Sequence, residues 1–295
     1  MLFDQLQRAF FGGKPVLLFR FALQGAVWWF AQADDDVITA DATTWRASKI
    51  TCDNLRQTAS RAKDNFAIRL PYLRRQIENP IEIPSTQDFG DLWHPYVPSD
   101  TISVMVLATH YGATDPPKLQ WAGEVGQPEY TDTQLQLTCT PGRALAQAKR
   151  QGAKSQRACW KRPYSTGLRG CNLDPEDFYV DAVVTDVEGL TLTTSGFGVA
   201  PFSLLQGSCE WTREIEAHNG TIEITERRTI VEHSGSQVRL LYGAVGLADV
   251  TDVRGLPGCP GTRPACVERD NYINFGGLPF KPIVNPEGQA MSWGA

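Results

Sequence analysis

The sequence contains no unbroken apolar run of the roughly 18 residues that a membrane-spanning helix needs. Its longest apolar stretch, Pro15 to Ala31, is interrupted by Arg20, Gln24 and Gly25. The opening Met1-Leu2-Phe3-Asp4-Gln5 has no basic segment ahead of a hydrophobic one, so no secretion signal is expected and synthesis is expected in the cytoplasm. There is no strong excess of one charge: the net value of -5 argues against general affinity for nucleic acid. Catalytic signatures are missing as well, with no Gly-x-Ser-x-Gly and no His-Glu-x-x-His. Gly12-Gly13-Lys14 runs into Pro15 and has no glycine upstream at phosphate-loop spacing, so it is not a nucleotide site. Asp34-Asp35-Asp36 lacks the alternating spacing and following glycine of a calcium loop and reads as a solvated turn. A cysteine peptidase would need Cys52 or Cys139 beside one of His94, His110, His218 or His233, and no local pattern supports such a pair. The chain is therefore expected not to be an enzyme.

What is present suits a folded protein of one large domain or two ordinary ones: 295 residues, 42% hydrophobic and 21% charged. The expected fold class is mainly β with few short helices. An N-terminal β-rich region is expected over 1–138 and a C-terminal antiparallel, cysteine-rich β domain over 139–295. Leu2, Phe3, Leu6, Ala9 and Phe10 form a helical stripe closed by Gly12-Gly13. Strands are predicted on both sides of Gln24-Gly25 and over 44–52, 65–70, 103–111 and 134–139. Short helices are predicted at 71–78 and from Thr140-Pro141 to Gly152, the second with Thr as its cap and a basic end. Hairpins follow: 180–187 with 190–194 across Glu188-Gly189, 214–217 with 221–225 across Asn219-Gly220, and 228–231 with 237–242 across Ser234-Gly235. Such spacing predicts an antiparallel sandwich or small barrel.

Seven cysteines are present, at 52, 139, 159, 171, 209, 259 and 266. In a reducing compartment, clustered thiols favour metal over disulfides. Cys52 and Cys209 share strand parity with apolar neighbours and read as packing residues. Cys159 and Cys171 bound one Gly/Pro-containing loop, and Cys259 and Cys266 bound another. Taken on spacing alone, the readings stay open. Structural zinc usually shows closer ligand pairs, and no Cys-x-x-Cys exists here. Iron–sulfur clusters tolerate irregular spacing. Disulfides Cys159–Cys171 and Cys259–Cys266, or four buried thiols, complete the set. From Arg143 to Arg162 there are seven basic residues and no acidic one, which suits either a nearby anionic centre or a solvated face.

Two segments carry a family resemblance. Cys159–Cys171, with Pro163-Tyr164-Ser165-Thr166-Gly167-Leu168-Arg169-Gly170-Cys171-Asn172, is one. Gly258-Cys259, Cys266 and Asn271-Tyr272-Ile273-Asn274-Phe275-Gly276-Gly277-Leu278-Pro279 form the other. Together they resemble the iron–sulfur-binding phage tail-tip, or baseplate hub, family, which includes the tail-tip protein L of phage lambda and the hub protein of gene transfer agents. The resemblance is most specific after Leu137.

It implies a 4Fe–4S cluster held by Cys159, Cys171, Cys259 and Cys266, with Cys139 as alternate ligand and zinc as the alternative metal. Asn274, Phe275, Gly276 and Gly277 would pack beside the cluster. It further implies a structural role in a virion tail tip, as a homotrimer between the distal tail ring and the central fibre or spike. A zinc- or disulfide-stapled adaptor in the same position is the alternative.

Overall fold

The computed structural model describes residues 2–8, 13–53, 66–73, 83–142, 156–243, 245–247 and 252–281. The fold is mainly β. Two compact units are present, one of 1–149 with 212–226 and one of 150–211 with 227–295.

In the first unit, helix α1 (Phe3–Arg8) precedes a nine-stranded sheet. Its strands are β1 (Pro15–Leu23), β2 (Ala26–Gln32), β3 (Val37–Ile38), β4 (Thr44–Ser48), β5 (Thr51–Cys52), β6 (Phe66–Pro71), β7 (Ser103–His110), β8 (Lys118–Tyr130) and β9 (Gln134–Pro141). Their spatial order is β3-β4-β2-β1-β7-β8-β9-β6-β5. Side chains of period two sort onto opposite faces. Phe19, Phe21 and Leu23 of β1 enter one buried cluster with Trp28 and Phe30 of β2, whereas Val16 and Leu18 enter another with Ala31, Val37 and Trp45. A four-residue helix α2 (Gln87–Gly90) sets Phe89 against Phe21, Trp28, Phe30 and Trp93, with ring centroids 4.5 to 5.8 Å away.

The expected strand at 44–52 is broken into β4 and β5, because Ile50 turns wholly into the core between them. Thr140 and Pro141 are not themselves helical, although Gly142 directly after them is. They extend β9, opposite Glu124 and Gly123 of β8. Positions 143–152 of that predicted helix, and positions 74–78 of the earlier one, lie outside the described residues, as do Ala9 and Phe10.

The remaining strands are β10 (Val180–Glu188), β11 (Thr191–Thr194), β12 (Ser208–Ala217), β13 (Gly220–Ser234), β14 (Gln237–Leu240) and β15 (Asp252–Leu256). They close a barrel in the order β10-β11-β14-β13-β12-β15. Leu192, Cys209, Trp211, Ile230, Val238 and Val253 fill its core. The separate strands expected at 221–225 and 228–231 are one strand, β13. Glu226, between the two expected strands, and Arg228, the first residue of the second, are both buried. Glu226 accepts from Arg213 at 2.9 Å, and the Arg228 guanidinium lies 5.9 and 4.8 Å from the Trp211 and Tyr242 rings.

His218, at the tip of the β12–β13 hairpin, accepts the Trp29 N–H at Nδ1 over 2.9 Å. Burial, reinforced by the charge of Arg46, pushes its pKa down to about 4 from 6.5. The folded imidazole thus stays neutral where the unfolded one protonates. Its contribution is intact above about pH 6.5 and is lost as pH falls toward 4. His218→Gln should flatten this part of the stability–pH profile by on the order of 1–2 kcal/mol, discounted for partial exposure. Subtracting the variant's urea midpoints from those of the parent between these pH values measures it.

Candidate metal centre

The strand pairing explains how two distant cysteine loops meet. The first loop, 159–171, leads into β10, and β15 leads directly into the second, 259–266. β10 and β15 pair antiparallel with Val180 opposite Gly255, so both loops emerge at the same end of one strand pair. Gly258 secures the exit, since any Cβ there would overlap the Leu205 carbonyl oxygen. Helix α3 (Arg263–Glu268) then carries Cys266.

Within the first loop, Lys161 Nζ donates to Gly170 O at 2.9 Å and Cys171 N donates to Ser165 Oγ at 3.1 Å. Tyr164, Gly167 and Asn172 adopt positive φ values of 57, 104 and 59°, which fold the loop back on itself. Cys159 N donates to Gly261 O of the second loop at 2.7 Å, and Tyr164 Oη donates to Pro257 O, just ahead of that loop, at 2.8 Å.

Cys159, Cys171, Cys259 and Cys266 line a single cavity of about 130 Å³, shared with Lys161, Arg269, Asn274 and Phe275. All seven cysteines are free thiols. Cys139 does not join the four. It is fully buried on β9 in the core of the first unit, where burial raises its thiol to about 12. Cys209 is wholly buried in the barrel core, and Cys52 packs half-buried against the first unit's core. Among the described residues no cysteine is hydrogen-bonded to a histidine. His110 meets Gln7, His218 takes the Trp29 N–H, and His233 takes the Leu204 N–H.

The glycine-rich tail of the site has a defined use. Gly276 N donates to Cys159 Sγ at 3.3 Å, and a Cβ at Gly276 would press on Lys161 and Cys159. Gly277 passes so close to the Arg157 carbonyl that no side chain fits. Asn274 Nδ2 donates to Asn271 Oδ1 at 2.7 Å and Phe275 stacks on Tyr272 at 6.1 Å.

Two residues of the site were given no role by the sequence reading: Asn271, named there only as the start of the second resembling segment, and Arg269. Asn271 is buried and links both loops: its Nδ2 donates to Cys171 O at 2.7 Å and Cys171 Sγ at 3.4 Å, while its carbonyl accepts from Cys266 Sγ at 3.2 Å. Arg269 is 8% exposed and donates Nη1 to Ala265 O and Nη2 to Gly258 O. The pointers in the sequence were, for Asn271, its place in the resembling segment and, for Arg269, its position between Cys266 and that segment. Burial pushes the Cys266 thiol up, and its three companion cysteines push it further.

No family model matches this chain. A protein of Xylella fastidiosa (strain 9a5c), described as an uncharacterized protein, is 37% identical over 257 residues, covering 86% of this chain and 51% of that protein. The chain thus spans about half the length of this curated relative. Among solved structures, a chain of the virion of the native gene transfer agent particle superposes with a TM-score of 0.69. It covers 99% of this chain and 98% of that one at 16% identity. This chain has the fold of a gene transfer agent virion protein. The likeness runs through both units, and at this identity it speaks to architecture alone.

Proposed function

We propose that this chain is a structural protein of a phage-type tail tip, a baseplate hub, whose second unit is stapled by a 4Fe–4S cluster on Cys159, Cys171, Cys259 and Cys266. The observation that carries the reading is the convergence of these four thiols on one cavity. The fold shared along nearly its whole length with a gene transfer agent virion chain supports the structural role. In this reading the protein stands as a homotrimer between the distal tail ring and the central fibre or spike, within a virion.

Four thiolate donors are the set that holds a 4Fe–4S cluster, and the four thiols line one cavity. A single zinc ion needs its thiolate sulfurs at about 2.3 Å from a common point. Among the described residues no three His, Cys, Asp or Glu side chains are grouped to hold one metal ion. The four thiols surround a space instead. Two sulfurs already receive N–H groups, from Gly276 and Asn271, as cluster sulfurs commonly do. When bound, the cluster would cross-link the two loops. Its binding to the folded form alone would add directly to stability.

Anaerobic purification followed by iron, sulfide and zinc analysis and a visible spectrum tests this. About four irons and four sulfides per chain are expected. Zinc without sulfide would replace the cluster with the zinc-stapled adaptor. No metal, with four thiols blocked to alkylation, would leave a disulfide-stapled one.

A further inference from the structure

Arg269 is a buried cation with no carboxylate partner among the described residues. Its two Nη groups donate to the Ala265 and Gly258 carbonyls, the uncharged Tyr164 hydroxyl lies beside it, and its guanidinium lies 4.5 Å from the Phe202 ring. Its Nε is buried and has no acceptor. Removing a charge from water without a counter-charge is costly, and such a charge is normally paired. Arg269 also lines the four-thiol cavity. Four protonated thiols, or two disulfides, would supply no negative charge to answer it. Four metal-bound thiolates would.

We infer that Arg269 is the charge-compensating residue of this centre, and that it sets the reduction potential of the group held there. The inference rests on the cluster reading. The anchoring is specific: Arg269 is fixed through the carbonyls of residues adjoining Cys259 and Cys266, so the positive charge is held in place next to two ligands. Lys161 also faces the cavity, but its Nζ is turned onto the Gly170 carbonyl. A one-electron reduction adds one negative charge to the centre, with dithionite as the donor and no proton required. The nearby guanidinium stabilises that product over the oxidised form and raises the potential.

The test uses the full chain, purified anaerobically, as parent, Arg269→Gln and Arg269→Lys. Iron and sulfide are counted, and the midpoint is read by dye-mediated dithionite titration. Arg269→Gln is expected to show about a tenfold lower reduced-to-oxidised ratio at a fixed ambient potential, which is about 59 mV for one electron. Arg269→Lys, which keeps the charge, is expected to stay within about threefold of the parent. Four irons and an unchanged midpoint in Arg269→Gln overturn the inference while leaving the cluster intact. If Arg269→Gln holds no iron, Arg269→Lys decides. Parental iron and midpoint support charge compensation, and loss of iron there too reduces Arg269 to a loop brace and overturns it. A parent without iron sinks the cluster reading itself.

Discussion

Replacing any one of Cys159, Cys171, Cys259 or Cys266 by Ser is expected to abolish stoichiometric iron and to unfold much of the second unit, whereas Cys52→Ser keeps the full complement. The four thiols line one cavity, and the cavity belongs to loops rather than to barrel strands. Those loops contribute little apolar core of their own. The barrel's buried cluster is drawn from 182–253, and of residues 159–171 and 259–266 only Gly170 and Ala265 are buried. On the proposed cluster reading, a metal centre that binds only the folded form would therefore carry a large share of their stability. Its loss belongs with the few single changes that exceed about 4–5 kcal/mol. In a unit of this size that lowers the melting temperature by about 10–20 °C. Cys52, half-buried at the end of a two-residue strand, loses only a small packing contribution. Iron content and calorimetry of the five variants measure the contrast. Equal tolerance at all five positions would sink the ligand assignment.

Phe89→Ala should destabilise the first unit by about 3–5 kcal/mol. Phe89 is 1% exposed and stands at the centre of an aromatic cluster, touching Phe21, Trp28, Phe30 and Trp93. Its edge-to-face contact with Trp93, at 88° and 5.0 Å, adds to the area it buries. The neighbourhood has little freedom to collapse into the cavity left behind. Gly90 already sits against the Tyr72 ring, so closely that a Cβ would overlap it, and Tyr72 Oη is bonded to Asp91 at 2.7 Å. Urea denaturation followed through tryptophan fluorescence measures the change, because Trp28 and Trp93 flank the substituted ring. A midpoint equal to the parent's would show that α2 is dispensable to this core.

The hairpins were legible because their turns are written in residues that accept positive φ. Gly189, Gly220 and Gly235 have φ values of 60, 108 and 57°, and each lies in a turn where the sequence reading placed it. Strand β8 was missed for a related reason. It contains Gly123, Gly126 and Pro128, which lower intrinsic strand preference. Gly123 is there because a Cβ would run into the Thr140 carbonyl and the Trp121 ring, a contact visible only once β9 lies beside it. β13 was divided because buried charges look like loop in a linear reading. Its Glu226 is answered by Ser99 and Arg213, which are remote in sequence.

The sequence by itself determined the mainly β class, the hairpin turns, and two cysteine pairs placed in Gly/Pro loops outside the strands. Those are local properties, set by side-chain period and by which residues tolerate a given φ. Only the tertiary structure decided that the two loops face one cavity, that Cys139 stays away in another core, and that Asn271 and Arg269 belong to the site. The reason is that pairing between β10 and β15, not chain proximity, brings the loops together. Likewise, that Arg269 is buried and lines the same cavity shows only once the fold is formed.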